Sequence, residues 1–189
     1  MRFLAIAFAL IALAGCQKQP ESPPANQASP AAEAGPVKGI DRSHKGKSAP
    51  QVEFKDGDGI TVSLDGFRGR PVLLNLWATW CAPCVKELPT LDRLSKSIQG
   101  GSLDVLAINQ DSASQASVKA YLDHEKLGRF AAFQDSKMAL AGALGAQVLP
   151  TSILFDAKGR EVWRYVGDLD WTSAEAAKLL AERGPSEMH

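Results

Sequence analysis

The sequence predicts an α/β fold: one folded domain, preceded by a long N-terminal segment of different character. Three observations carry this. Apolar runs of strand length alternate with segments of helical period. The run Pro71-Val72-Leu73-Leu74-Asn75-Leu76-Trp77 is nearly continuous, the pattern of a central strand buried on both faces. After it the order is helix, strand, two helices, two strands and a helix, the arrangement of a layered α/β domain. The 189 residues, 45% of them hydrophobic, suit one ordinary domain with an appendage.

Each element has its own signal. Gln51–Phe54 and Ile60–Ser63 flank Asp56-Gly57-Asp58-Gly59, which predicts an N-terminal β-hairpin. A helix is expected from the cysteine pair at 81 and 84 to about Ile98. Val85, Leu88, Leu91, Leu94 and Ile98 recur along it at helical spacing, with Pro89 predicting a kink. Leu103–Asn109 reads as a second buried strand. Ala113 to about His124 reads as a crossover helix. Lys137–Leu144 is a short helix closed by Gly145. Ile153–Phe155 and Glu161–Val166 are strands joined by the turn Asp156-Ala157-Lys158-Gly159. Thr172 with Glu175 matches a capping box for a last helix to about Glu182.

Composition excludes several classes. With 21 basic and 21 acidic residues there is no net charge, and so no basic footprint for nucleic acid. Three cysteines are too few for a disulfide-dense scaffold. Past the N-terminal segment, no run of apolar residues is long enough to span a membrane.

Arg2 followed by the apolar stretch Phe3–Leu13 has the build of a secretory signal, too short to cross a bilayer comfortably. Leu13-Ala14-Gly15-Cys16 resembles the lipobox of bacterial lipoproteins. That resemblance implies removal of residues 1–15 and acylation of Cys16, which would anchor the chain to a lipid bilayer and withdraw this thiol from redox chemistry. Residues 17–50 hold six of the 11 prolines, with Ala, Ser, Gln and Glu filling most of the rest. Such a segment cannot bury enough surface to offset its ordering entropy. We therefore expect a tether over 16–47 and a folded domain over 48–185. His44, beside Lys45 and Lys47, reads as part of a solvated charge cluster.

Cys81-Ala82-Pro83-Cys84 directly follows the central strand and opens a helix. A cysteine at a helix N-terminus faces unpaired N–H groups and the positive end of the helix dipole, which favour thiolate over thiol. The second cysteine lies three residues on, within disulfide reach. The pair can cycle between dithiol and disulfide. Three other readings stand beside this one. A permanent staple would close only four residues, with little entropic gain. Half of a zinc site would need two more ligands from Cys16, His44, His124 and His189, which are poorly placed to supply them. Two plain buried thiols are the third.

Trp77-Ala78-Thr79-Trp80-Cys81-Ala82-Pro83-Cys84-Val85-Lys86-Glu87-Leu88-Pro89 closely resembles the active-site signature of TlpA/ResA-like thiol–disulfide oxidoreductases, within the redoxin superfamily. The resemblance extends over about 48–183. It includes Gly69-Arg70-Pro71-Val72-Leu73-Leu74 and Val148-Leu149-Pro150-Thr151-Ser152-Ile153. It implies a thioredoxin fold, with a central mixed sheet flanked by helices. It implies a cis-proline at Pro150 facing the cysteine pair. Thioredoxins bury an acid six positions before the first cysteine; here that position is Asn75. Glu87 matches the glutamate that TlpA/ResA-like proteins carry three residues after the second cysteine, which implies that it tunes the thiols or relays a proton.

The same resemblance implies a cycle. Cys81 attacks a partner disulfide, and Cys84 resolves the mixed disulfide with help from Glu87. Trp80, Ala82, Pro83, Leu149 and Pro150 form the substrate-binding surface. The chain would act on the periplasmic side of a bacterial membrane. Protein disulfides, such as those of apocytochrome c or metal-assembly thiols, would be its substrates. Electrons would come from a membrane thiol transporter. The chemistry calls for no cofactor and no metal. Alternatives are a disulfide-donating oxidase, a thiol peroxidase and a metal-delivery lipoprotein. The peroxidase reading is disfavoured by Leu74 and Ala78, which stand where peroxiredoxins carry Pro and Thr.

Overall fold

The computed structural model describes residues 38–98, 101–127, 130 and 132–184. A five-stranded mixed sheet has the order β1-β7-β6-β4-β5. Its strands are β1 (Gly39–Asp41), β4 (Val72–Trp77), β5 (Asp104–Asn109), β6 (Thr151–Phe155) and β7 (Glu161–Val166). β4 and β5 are parallel, with Leu74 opposite Leu106. The β4–β6, β6–β7 and β1–β7 pairs are antiparallel. A separate hairpin of β2 (Glu53–Lys55) and β3 (Thr61–Ser63) confirms the N-terminal extension. Its Asp-Gly turn is fixed by Asp56, whose Oδ1 accepts the N–H groups of Asp58 and Ile60. Among the described residues, four α-helices complete the domain: α1 (Ala82–Ser97), α2 (Gln115–His124), α3 (Ala139–Leu144) and α4 (Ala174–Leu180).

All six residues of β4 are buried, as its unbroken apolar run requires. Strand parity divides the core into two. Leu73 and Trp77 of β4, Leu154 and Trp163 pack with Leu88 and Leu91 of α1, Val118 and Leu122 of α2, and Ala176 and Leu180 of α4. Leu74, Leu76, Ile108, Ile153 and Phe155 face the other way, against Leu140, Ala141 and Leu144 of α3 and Phe54 of the hairpin. The same parity puts Asn75 beneath α1, beside its register partner Ser152.

The structure departs from the sequence reading at several elements. The stretch from 38 to 47, expected as tether, is fastened to the edge of the sheet. Gly39–Asp41 pairs with Arg164–Val166, and the Gly46 and Ala49 amides donate to the carbonyls of Glu161 and Gly159. Backbone hydrogen bonds to β7, which otherwise presents an open edge, recruit this segment, and the ion pairs Lys38–Asp168 at 2.8 Å and Arg42–Glu182 at 2.5 Å fasten it further. His44 is not simply solvated: its Nδ1 lies 3.9 Å from Glu161 Oε1. The last helix is capped one residue later than expected. Ser173 accepts the Ala176 N–H, while the Thr172 hydroxyl turns to Asp170. In α2 the cap is Ser114, which moves the helix start to Gln115. α1 runs through Pro89; next to it, the Thr90 hydroxyl donates to the Glu87 carbonyl. The signal segment, Cys16 and the tether as far as residue 37 lie outside the described residues.

Candidate active site

β4 ends at Trp77 and the chain turns through Ala78–Cys81, closed by the Cys81 N–H donating to the Ala78 carbonyl at 3.1 Å. Cys81 is the N-cap of α1, with Pro83 in the first turn, where a missing N–H costs nothing. Cys81 and Cys84 are joined by a disulfide, with Cα atoms 5.2 Å apart. The Cys84 N–H donates to Cys81 Sγ at 3.3 Å. That donor and the helix dipole both favour a negative sulfur when the bond opens. Cys84 is fully buried, and Cys81 lies closer to solvent, 6% exposed.

Glu87 lies one turn further along α1, on its buried face, and is 2% exposed. Three elements meet at its carboxylate. Asn75 Nδ2 of β4 donates to Oε1 at 2.6 Å, and the Leu169 N–H of the loop after β7 donates to Oε2 at 3.0 Å. Asn75 Nδ2 also donates to Ser152 Oγ at 2.9 Å. The loop is fastened again where the Trp171 N–H donates to Thr90 Oγ1 at 3.1 Å. Burial pushes the Glu87 carboxyl up to about 7, against the pull of the Leu169 amide, the Asn75 amide and the Trp171 indole; Asp168 nearby adds to the rise. The residue that sequence reading could have left on a solvated helix face is a buried acid that changes protonation near neutral pH.

Pro150 follows a cis peptide bond from Leu149. It precedes β6, whose Thr151 is opposite Leu76 near the end of β4, so it lies at the same end of the sheet as the cysteines. Around the pair, Trp80 is 69% exposed and Val148 39% exposed, Ala82 and Pro83 are exposed, Leu149 is half-buried and Pro150 buried. Trp77, Trp163 and Trp171 are core. His124 lies exposed at the end of α2. Among the described residues, no group of three or more His, Cys, Asp or Glu side chains is arranged to hold a metal ion. Among the same residues, no helix is long and apolar enough to cross a membrane.

Sequence reading missed three parts of this site. Ser152, which accepts from Asn75, and the Leu169 amide, which donates to Glu87, reach the site only through tertiary pairing. Asp111, at the end of β5, accepts the Thr79 N–H in the turn before Cys81. Its signal was available: Asn109-Gln110-Asp111 is a polar triplet at the carboxyl end of a parallel strand, where α/β sites gather.

The Redoxin family matches residues 44–180. The chain is 32% identical over 123 residues to the thiol-disulfide oxidoreductase ResA of Bacillus thuringiensis (strain Al Hakam), covering 65% of this chain and 70% of that one. A Chlorobium tepidum structure assigned as a thiol:disulfide interchange protein DsbE superposes with a TM-score of 0.65 at 27% identity, covering 74% of this chain and 98% of that one. The exposed lipoprotein thioredoxin Etrx1 of Streptococcus pneumoniae gives a TM-score of 0.59 at 25% identity, covering 70% and 97%.

Proposed function

The chain belongs to the Redoxin family and is a thiol–disulfide oxidoreductase of thioredoxin fold, and on that premise we propose that it is a membrane-tethered reductase of extracytoplasmic protein disulfides. One observation carries the mechanism: the Cys81–Cys84 disulfide caps α1 one turn before a buried glutamate that titrates near 7. In the reduced enzyme, Cys81 is the attacking thiolate. It bonds to one sulfur of the partner disulfide, and the other sulfur leaves as a thiolate. Glu87, as carboxylate, takes the Cys84 proton through a water. Cys84 then attacks the Cys81 sulfur. The enzyme disulfide forms, and the partner leaves with both its sulfurs reduced. Glu87 gives its proton to the departing thiolate. A carboxyl with a pKa near ambient pH suits both transfers.

Trp80, Ala82, Pro83, Leu149 and Pro150 form the surface on which the partner chain lies. Acylated Cys16 holds the domain at the bilayer on the periplasmic side, and the proline-rich segment after it gives reach; likeness to an exposed lipoprotein thioredoxin supports this. A membrane thiol transporter returns the cysteines to the dithiol. Substrates of this class include apocytochrome c and metal-assembly thiols. Equilibration of the pair against glutathione tests the direction. A potential near that of thioredoxin, about −270 mV, is expected, and one near about −120 mV would make the protein an oxidant instead. Cys84→Ser should accumulate mixed disulfides with partners and Cys81→Ser should not; equal trapping would overturn the order of attack.

A further inference from the structure

Asp111 has no part in the cycle above, yet it is placed to govern it. It is 4% exposed, and both its carboxylate oxygens accept the Thr79 N–H, at 3.3 and 3.2 Å. Oδ2 also accepts from Asn109 Nδ2 at 3.1 Å, while the Asp111 N–H donates back to Asn109 Oδ1 at 2.8 Å. The Asp111 carbonyl is held by Gln134 Nε2 at 3.0 Å. Among the described residues no lysine, arginine or histidine pairs with the carboxylate. A buried carboxylate without a cation is expensive unless N–H donors are fixed against it. Here the donors are fixed, and one belongs to the turn that carries Cys81.

Thr79 cannot be satisfied within the sheet. β4 ends at Trp77, whose carbonyl accepts the Gln110 N–H at 2.8 Å. The next amides belong to the Ala78–Cys81 turn, and Asp111 is what receives the Thr79 N–H. The two cysteines are therefore anchored differently. Cys84 is inside α1, held by the helix. Cys81 is the N-cap, held to α1 by the Val85 N–H on its carbonyl at 3.0 Å, and otherwise placed by the turn and, in the oxidised form, by the disulfide. Once the disulfide opens, the Cys81 carbonyl stays tied to α1 by the Val85 N–H, and the turn is what fixes the other side of the residue and so the placing of its sulfur against the Cys84 amide.

We propose that Asp111 is a positioning residue that locks the Ala78–Cys81 turn and so holds the reduced Cys81 at the N-terminus of α1. This rests on the redox reading of the cysteine pair and deepens it. Because the oxidised form keeps its covalent link, loss of the lock falls mainly on the reduced form.

The test is Asp111→Ala, read by the Cys81 thiol titration and by equilibration with glutathione. A buried amide left without its charged acceptor corresponds to roughly a tenfold or larger effect. The equilibrium should shift about tenfold toward the disulfide, about 30 mV more negative. The Cys81 pKa should rise, and attack on a partner disulfide should slow. Asp111→Asn keeps one acceptor oxygen and should stay within about threefold of the parent. In the unsubstituted protein the Thr79 amide should resist hydrogen exchange in both redox states. That measurement and Asp111→Asn decide the matter should Asp111→Ala not fold. A parental potential and Cys81 pKa in Asp111→Ala, or a Thr79 amide that exchanges freely on reduction, would overturn the proposal. If these fail while Cys81→Ser still abolishes exchange, Asp111 is only structural and the redox reading stands. A pair that never equilibrates with glutathione removes both.

Discussion

Replacing Glu87 by Gln should change how stability depends on pH, by an amount set by the burial of one carboxyl. In the fold this group titrates at about 7, against an ordinary value of 4.5. Its folded pKa lies above its unfolded one, so between those values the folded state binds the extra proton. The contribution to stability is fully present below about 4.5 and is lost as pH rises through 7. At about 1.4 kcal/mol per pH unit, the gap corresponds to about 3 kcal/mol, of which roughly 2–3 kcal/mol separates pH 5 from pH 8. Urea unfolding of the disulfide form at those two pH values measures it. The parent should lose that much more stability than Glu87→Gln over the interval, whatever the absolute cost of disturbing the Asn75 and Leu169 hydrogen bonds. Equal pH dependence in the two proteins would refute the reasoning: Glu87 would then be hydrated or ionised throughout. The same substitution should slow release of the reduced partner near neutral pH, because Cys84 loses its proton acceptor.

Two further outcomes follow from burial and exposure. Glu161 holds Arg164 through two hydrogen bonds of 2.7 Å inside the α3 side of the core, so Glu161→Ala should cost about 3–5 kcal/mol in urea unfolding by leaving a buried guanidinium unpaired. The cysteine pair lies on the other side of the sheet, so its exchange rate under native conditions should be unchanged; a loss in stability below about 1 kcal/mol would show that water reaches Arg164. Trp80→Ala removes an exposed ring, so stability should move by no more than about 0.5 kcal/mol. Its KM for a protein disulfide should rise severalfold while reduction of glutathione disulfide hardly changes; a parallel fall in both would assign Trp80 to thiol chemistry rather than docking.

The parts of the fold legible in the sequence are those where one residue pattern suffices. The run from Pro71 to Trp77 reads as a strand covered on both sides, and the cysteine pair directly after it as the opening of a helix. Glu87 was visible as a candidate through its spacing from Cys84. Its burial was not, because that depends on Asn75, Ser152 and Leu169 arriving from three other places in the chain. β1 was missed because Gly39-Ile40-Asp41 has a single apolar side chain, and that one points outward, 40% exposed. What holds it is the backbone of β7 together with ion pairs from the flanking Lys38 and Arg42 to Asp168 and Glu182, far along the chain, and neither leaves a trace in composition. Glu161 and Arg164 sit in β7 as charged residues that satisfy each other, so charge alone gives no sign of their depth. The shift of the α4 cap from Thr172 to Ser173 is of another kind. Both residues can cap, and Asp170 takes the threonine hydroxyl first.

Asn75 and Glu87 touch across 2.6 Å, one on the strand and one on the helix. The interior around them has room for one carboxylate. An acid on both sides would set two negative groups within a hydrogen bond of each other, and one would stay protonated at every physiological pH. The acid can thus reside on the strand, as in thioredoxins, or on the helix, as here, with an amide opposite. In descent, a move from one address to the other has to pass through either two acids or none. The intermediate with two keeps an acid near the thiols, and the one with none loses it. Substitutions at 75 and 87 should therefore be inherited as a pair, with the second acid gained before the first is given up.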